Sequence, residues 1–260
     1  MRRAFTLLEL LVVLVTIAVL IALVAPGLAG VRGVARATLC GSRLLGLGHG
    51  LSLYMNDFDQ TLPQALNPMA GTRGGGPRVP GPLFGGTKGR LPMWGIDQVG
   101  ARGRPLNGYL DLPDGPPDEA PGRVDLAAYR SPCDAGADET YLGIAGFERL
   151  ETWYDAYGTS YVINDHDLDG DGHRTLIPEQ GGRMPPIADP TKTWVLGSAP
   201  IYAYQQDSDR GLRWYHPNQT QANLLFADMH VRLTLPIPNE WCVVENTTAH
   251  YTFLPTPYRP

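Results

Sequence analysis

The stretch RRAFTLLELLVVLVTIAVL, residues 2–20, decides the architecture of this chain, because two arginines precede a long apolar run. Apolar residues continue to Ala29, and Glu9 is the only charged residue among them. A helix of about 20 apolar residues spans a hydrocarbon core of roughly 30 Å, whereas a cleaved secretory signal has an apolar region of only about 7–15 residues. The run therefore predicts a transmembrane helix.

The basic residues around this span predict its orientation. Arg2 and Arg3 precede the span and favour a cytoplasmic N-terminus, although Arg32, Arg36 and Arg43 beyond it weaken the asymmetry. We therefore expect a single-pass protein of the inner membrane, whose remaining chain lies in the periplasm or outside the cell.

Composition limits the function of that remaining chain. The 260 residues carry a net charge of −5 and only 18% of them are charged, so nucleic acid is not an expected partner. The chain contains 31 glycines and 24 prolines, a high content that is still below the range typical of disordered proteins. We expect a globular head that is rich in loops.

Glu9 needs a physical explanation, because a carboxylate at the centre of a spanning helix costs roughly 2.5–3.5 kcal/mol, and less toward the ends of the helix. One explanation is that Glu9 lies at the membrane interface and reaches water. The other comes from its context, since RRA followed by FTLLELL, residues 2–11, resembles the class III signal of type IV prepilins and type II secretion pseudopilins.

This resemblance implies a processing event and a role for Glu9. A prepilin peptidase and N-methyltransferase would cut between Ala4 and Phe5, removing residues 1–4 as a leader and leaving an N-methylated Phe5. The family usually has Gly where this chain has Ala4. Glu9 would then pair with the α-ammonium group of Phe5, its own or that of a neighbouring subunit, and set the register of a filament of pilin-like subunits, because an unpaired buried charge is costly.

The helix is expected to continue beyond the membrane. Residues 5–29 form the transmembrane and filament-core segment and residues 30–60 the outer half, with weak points at Pro26, Gly27, Gly30 and Gly33. Apolar residues of the outer half recur at steps of three and four, which predicts one buried face. They are Leu44, Leu47, Leu51, Tyr54 or Met55, and Phe58. We expect this face to pack on a sheet of the head, residues 61–260.

Five segments of the chain carry a second resemblance. They are CGSRLLGLGHGLSLYMNDFDQTLP from Cys40, SPCDAGAD from Ser131, TSYVIND from Thr159, DPTKTWVLGS from Asp189 and HPNQTQANLLFADMHV from His216. In this order they resemble a pilin-like family of planctomycete-type bacteria, whose heads end in a His…Asp-Gly element. The resemblance implies an α+β fold, pilin-like, in which the long helix packs on an antiparallel sheet.

The last of these segments predicts a β-hairpin. We expect antiparallel strands at 223–227 and 231–235, although Met229 stands where the family has a Gly, which takes positive φ without strain. His216 and Asp228 are expected to serve turns and packing rather than catalysis.

The region from about 67 to 121 is dense in glycine and proline and has no apolar periodicity. We expect an irregular excursion, ordered in part by Trp94 and Tyr109. A loop of this length favours a contact role.

The segment NDHDLDGDGH, residues 164–173, is the candidate metal site. Asp165, Asp167, Asp169 and Asp171 alternate with other residues and two glycines, which suits the oxygen ligands of Ca²⁺. Pro178 stands where an EF-hand loop has its bidentate Glu, so the full motif fails. The segment is a truncated Ca²⁺ loop, as the calcium used by major pseudopilins suggests, or a solvated acidic turn. Transition-metal binding that involves the neighbouring histidines is a third alternative.

The three cysteines are Cys40, Cys133 and Cys242, in a compartment that is expected to be oxidising. Cys40 and Cys133 both fall in segments shared with the second family, so the resemblance implies that they pair and tie the helix to the head. Cys242 would then be free and buried beside Trp241. The odd count leaves every pairing open.

No nucleophile elbow, Walker loop, dinucleotide fingerprint or zinc-protease motif occurs in the sequence. We therefore expect a structural subunit of a pilus-like or secretion filament and no enzyme activity. The alternatives are a membrane-anchored glycan-binding protein, in which Trp153, Tyr154, Tyr157 and Tyr161 stack on sugars instead of packing in the core, and a carboxylate-based hydrolase.

Overall fold

The computed structural model describes residues 6–65, 68, 81–113, 115–165, 167–168, 173–174, 176–178, 182–204, 208–239, 245–246 and 251–256. The α-helices are α1 (Leu7–Asp57) and α2 (Trp153–Tyr157), and short 3₁₀ helices occupy Gly81–Leu83, Pro105–Tyr109, Ala127–Tyr129 and Ala199–Tyr202. The strands are β1 (Tyr161–Ile163), β2 (Asp167–Leu168), β3 (His173–Arg174), β4 (Trp194–Ser198), β5 (Gln221–Phe226), β6 (Val231–Pro236), β7 (Glu245–Asn246) and β8 (Tyr251–Thr252).

The first helix has 51 residues, which corresponds to a length of roughly 77 Å at 1.5 Å per residue. Its backbone remains helical through Pro26, Gly30 and Gly33, where we expected its weakest points. The helix ends at Asp57, and the N–H of the capping residue Phe58 donates to the carbonyl of Tyr54. The predicted long helix is therefore present and is not interrupted.

The head is built on a four-stranded antiparallel sheet in the order β1-β4-β5-β6. The expected hairpin is its β5–β6 pair, whose bounds agree with those predicted to within two residues. Met229 lies in the connecting turn at φ +68°, the left-handed conformation that glycine takes most easily. The α+β class and the antiparallel sheet expected from the sequence are both confirmed.

The outer half of α1 covers one face of this sheet. The buried face of the helix carries most of the predicted apolar stripe, at Leu44, Leu47, Leu51, Tyr54 and Met55, and Cys40 lies on the same face. Phe58 departs from the prediction, since it is half-exposed and stacks on Tyr54 with ring centroids 4.4 Å apart. Glycines let the helix approach closely, and a Cβ atom at Gly48 would lie 2.9 Å from a methyl carbon of Leu225.

The opposite face of the sheet is covered by chain that follows β4 and by the C-terminal segment. Trp194 of β4 packs edge-on against Tyr202 and Phe253, with ring centroids 5.8 and 5.1 Å apart. Leu224 and Phe226 of β5 belong to the same apolar cluster. Because strand residues alternate between faces, β5 presents Leu225 to the helix and its neighbours to this second layer.

The Gly/Pro-rich excursion is packed more closely than we expected. Its described part, residues 81–113 and 115–121, contains two 3₁₀ helices. The side chains that anchor this part in the core without exposed surface are Leu83, Phe84, Leu91, Ile96 and Leu106. Trp94 and Tyr109, the expected anchors, are only half-buried. Irregular secondary structure is therefore combined with a well-packed interior.

Candidate functional site

The inner half of α1 is the first candidate surface. Residues Leu7–Val24 are apolar enough and long enough to cross a membrane, and none of them is buried in the monomer. Side chains around the whole circumference are exposed, including Leu7, Leu14 and Leu23. A continuous apolar surface of this size is unusual on a soluble monomer and requires either lipid or other protein to cover it.

Glu9 closes the N-terminus of this helix. The hydroxyl of Thr6 accepts a hydrogen bond from the N–H of Glu9 at 3.2 Å, and the carboxylate of Glu9 accepts one from the N–H of Thr6 at 2.8 Å. These two bonds form a reciprocal capping box, which satisfies N–H groups that the helix leaves unpaired. Sequence reasoning missed this partner, although the Thr-x-x-Glu pattern signals it.

The processing residues precede this cap in the sequence. Ala4 and Phe5 lie outside the described residues, so the expected pairing of Glu9 with the Phe5 ammonium group stays a prediction. The carboxylate of Glu9 is nevertheless bonded to the N–H of Thr6, which follows directly after Phe5 in the chain.

Asn223 joins the outer half of α1 to the sheet. Its side chain is fully buried, and its amide donates to the carbonyl of Ala37 in α1 at 3.0 Å. Its side-chain oxygen accepts from the N–H of Thr234 in β6 at 2.7 Å, where the β5–β6 register shifts. Its own N–H donates to the hydroxyl of Ser198 in β4 at 2.9 Å. One residue thus connects the helix with three strands of the sheet.

Cys40 lies on the same seam between helix and sheet. Its sulfur is fully buried and lies 2.9 Å from the hydroxyl of Tyr215, in a hydrogen bond that either group can donate. The hydroxyl of Tyr161 donates to the backbone carbonyl of Cys40 at 3.2 Å. Burial, followed by the charge of Cys40, raises the pKa of Tyr161 well above its usual range.

Cys133 is the second buried cysteine of the described residues and belongs to a different apolar cluster from Cys40. Burial raises its pKa to about 11, the charge of Cys40 adds to this effect, and Arg36 opposes it. Both sulfurs are free thiols in the structure, so the predicted disulfide is not formed there. Cys242 and its neighbour Trp241 lie outside the described residues.

The acidic segment is described only in part. Asp167 starts β2 and His173 starts β3, so the predicted loop connects two short antiparallel strands. The carboxylate of Asp165 lies against Gly81, where an added Cβ would come within 2.0 Å of it. Asp169 and Asp171 lie outside the described residues. Calcium binding stays a prediction, and no cluster of three metal-ligating side chains occurs among the described residues.

The structure places His216 and Asp228 in turns. The ring of His216 accepts from the N–H of Asn218 at 3.2 Å, and the carboxylate of Asp228 accepts from the N–H of His230 at 3.2 Å. The ring of His230 stacks on Phe226 with a centroid distance of 4.4 Å. These contacts agree with the turn and packing roles expected for both residues.

The aromatic residues considered for sugar stacking are buried. Trp153, Tyr154, Tyr157 and Tyr161 all contribute to the apolar clusters of the head. Their faces are occupied by protein, since Trp153 and Tyr157 stack on one another with centroids 4.4 Å apart. The glycan-binding alternative therefore loses its candidate residues, and core packing is their observed use.

Arg104 is a structural residue that sequence reasoning missed. Its guanidinium is fully buried and donates through Nη1 to the carbonyls of Pro82 and Gly85, at 2.8 and 2.9 Å. Its Nε donates to the carbonyl of Val99 at 3.3 Å, and burial lowers its pKa to about 9. Because the arginine stands in an aperiodic, glycine-rich segment, the sequence predicts an irregular excursion and gives no signal of this role.

Asp134 is a second such residue. Its carboxylate accepts from the N–H groups of Trp153 and Tyr154, both at 2.8 Å, and from the hydroxyl of Ser160 at 2.6 Å. It thereby caps α2 and joins it to the start of β1. The pattern Ser-Pro-Cys-Asp suggests a turn, but not a partner that lies so far away in sequence.

No protein-family model matches this chain, and neither the curated proteins nor the solved structures contain a significant match to it. The resemblance to pilin families therefore rests on the residues quoted from the sequence and stays an expectation.

Proposed function

We propose that this chain is a structural subunit, pilin-like or pseudopilin, of a type IV pilus-like or type II secretion filament. The observation that carries the proposal is the inner half of α1, which exposes apolar side chains around its whole circumference and continues without a break into a helix anchored in the head. Such a segment can lie first in a bilayer and later among copies of itself, because both surroundings cover apolar surface.

In this proposal the protein is inserted in the inner membrane with the head outside the cytoplasm. The prepilin peptidase cuts between Ala4 and Phe5, and the subunit then joins related subunits through the assembly machinery. The support for this order is the sequence RRA before FTLLELL. The work of the protein is assembly and contact, without turnover of a substrate.

Glu9 would act in two stages. In the monomer its carboxylate caps the helix by bonding the backbone of Thr6. In the filament it pairs with the ammonium group of Phe5, since a buried carboxylate without a cation costs several kcal/mol. The charge, rather than the cap, would then select the correct register.

Three variants separate the charge of Glu9 from its cap. Glu9→Gln keeps an acceptor for the Thr6 N–H, because glutamine also serves in capping boxes, but removes the charge. Thr6→Val removes the hydroxyl acceptor and keeps the charge. Glu9→Leu removes both. All three should insert into the membrane, since none adds a polar group.

The expected result is that Glu9→Gln and Glu9→Leu lower the amount of subunit in sheared filaments by about 100-fold, while Thr6→Val assembles nearly as well as the natural chain. The measurement compares the filament and membrane fractions of cells that carry the assembly machinery. If Glu9→Gln assembles normally, the charge has no role in assembly and Glu9 is only a helix cap.

Mass spectrometry of the mature N-terminus tests processing independently. The expected N-terminal peptide starts at Phe5 and carries one added methyl group. A mature protein that still starts at Met1 would contradict the prepilin assignment.

A further inference from the structure

The helix α1 has an uncovered neck, residues 30–36, between its apolar inner half and the head. Every residue of the neck is exposed, and Ala37 is the first residue beyond it that is buried. The neck places exposed valines, Val31 and Val34, beside two exposed arginines, Arg32 and Arg36. A helix surface that combines apolar and cationic side chains is typical of the boundary between a bilayer and water.

The neck lies in the basic part of a chain that is acidic as a whole. The first 56 residues contain five arginines and a single acidic residue, Glu9, whereas the net charge of the chain is −5. The excess negative charge therefore lies beyond residue 56. Along the helix itself, no carboxylate follows the neck until Asp57.

The three arginines that follow the span differ in what they contact. Arg32, Arg36 and Arg43 are separated by four and seven residues, so they lie on one side of the helix. Arg43 is half-buried, and its Nη1 donates to the backbone carbonyl of Arg130 in the head. In the part of the chain that the structure describes, Arg32 and Arg36 form neither an ion pair nor a side-chain hydrogen bond. Their guanidinium groups can therefore bind a ligand outside the chain.

The distance of these two arginines from the span matches the headgroup layer of a bilayer. At 1.5 Å per residue, a hydrocarbon core of roughly 30 Å that starts at Leu7 ends near residue 27. Arg32 then lies about 8 Å beyond the hydrocarbon, and the headgroup layer on each side is about 5–8 Å thick. Arg36 lies one turn farther along, but helical side chains lean towards the N-terminus, here towards the membrane, so its long side chain reaches back to the same layer.

We propose that Arg32 and Arg36 bind the phosphate groups of anionic phospholipids at the outer surface of the inner membrane. The inference rests on the membrane insertion that is part of the proposed function. A guanidinium group can donate two parallel hydrogen bonds to phosphate oxygens. Two such groups one turn apart present a cationic edge to the headgroups, and an anionic lipid supplies the acceptors that the described part of the chain does not.

The contact belongs to the membrane-bound subunit. The neck is helical and leads directly to the buried residue Ala37, so lipid phosphates at Arg32 and Arg36 hold the head just above the membrane surface. Entry into a filament moves the helix out of the bilayer, and the two arginines then give up their lipid partners.

The test compares lipid retention by the full chain and by a variant without these charges. The chain is reconstituted in vesicles of equal parts phosphatidylglycerol and phosphatidylcholine and extracted in a mild non-ionic detergent, and its bound phospholipids are counted by mass spectrometry. Arg32→Gln/Arg36→Gln should lower the ratio of retained phosphatidylglycerol to phosphatidylcholine at least about fivefold, the factor expected for one arginine near an anionic surface. Arg2 and Arg3, on the other side of the span, are present in every variant and do not affect the comparison.

Matched variants identify the cause of the preference. Arg32→Lys/Arg36→Lys keeps the charges and should retain most of the preference for phosphatidylglycerol. Arg90→Gln/Arg102→Gln removes two charges from exposed positions of the head and should leave the ratio unchanged. Salt at about 1 M, where the screening length is only about 3 Å, should weaken the preference of the natural chain.

Equal lipid ratios for the natural chain and Arg32→Gln/Arg36→Gln would overturn the proposal. If that variant also failed to enter filaments, the arginines would contact acidic residues of a neighbouring subunit instead of lipid. The single variants Arg32→Gln and Arg36→Gln provide the same comparison if the double variant does not insert. The assay needs insertion but neither processing nor assembly, so a chain that selects anionic lipid and forms no filament would contradict the proposed function and not this inference.

Discussion

The two halves of α1 belong to one continuous helix but meet the rest of the molecule in opposite ways. In the inner half, Leu7–Val24, no residue is buried. In the outer half, from residue 30 to the end of the helix, one face is buried against the sheet through Cys40, Leu44, Leu47, Leu51 and Tyr54. The inner half is apolar on all sides, whereas the outer half has a covered apolar side and an exposed side that mixes polar and apolar residues.

This difference shows where each half obtains its stability. Most helical stability in proteins comes from packing of an apolar face, and the outer half has that packing within its own chain. The inner half must obtain it from lipid or from other protein. The outer half therefore determines how the head is held, and the proposed association with other subunits depends on the inner half.

The largest effect that tests this comparison comes from the same substitution made in each half. Leu47→Ala should lower the free energy of unfolding of the head by about 3–5 kcal/mol, because it leaves a cavity at a fully buried position. Leu14→Ala should leave that free energy unchanged, since Leu14 touches no core. The measurement is denaturant unfolding of the full chain in detergent. The signal is the fluorescence of the tryptophans, all of which lie in the head.

The outcome of this pair decides whether the halves are energetically separate. Equal losses from the two substitutions would mean that the inner half also supports the head, and the contrast drawn from exposure would be wrong. Leu14→Ala should instead reduce assembly, because the residue lies on the surface that lipid or other subunits are proposed to cover.

The division of the helix could be predicted from the sequence because it depends on periodicity. A continuous apolar run followed by apolar residues at steps of three and four predicts first a span and then a one-sided helix. The β5–β6 hairpin could be predicted for a similar reason, since its apolar strands flank a short turn at Asp228. Local patterns of this kind need no knowledge of distant partners.

The contacts that hold the halves and the head together could not be predicted in this way. Arg104, Asp134 and Asn223 each bind groups from distant parts of the chain, and no local pattern announces such a partner. The cap formed by Thr6 and Glu9 is different, because the local pattern Thr-x-x-Glu is sufficient to predict a capping box.

A smaller loss is expected from breaking the polar link between the outer half and the sheet. Asn223→Ala should lower the free energy of unfolding by about 2–4 kcal/mol. The N–H of Thr234 loses its acceptor, and the hydrogen bond from the side-chain amide to the carbonyl of Ala37 is lost. Asn56, an exposed residue of α1, provides the control, and Asn56→Ala should change the free energy of unfolding by less than about 0.5 kcal/mol. Similar small changes in both variants would show that apolar packing alone holds the helix.

The smallest effect concerns two glycines of the outer half, one on each side of the helix. Gly48 is buried against Leu225, whereas a Cβ atom added at Gly46 would have no heavy atom within 4 Å. Gly48→Ala should destabilise the head by about 1–2 kcal/mol, because overpacking outweighs the gain in helix propensity. Gly46→Ala should stabilise it by about 0.5–1 kcal/mol, because only the propensity changes. Changes of opposite sign in the free energy of unfolding would locate the boundary between the covered and the free side of the helix. A gain in stability in both variants would show that Leu225 moves aside and that the close approach at Gly48 is not required.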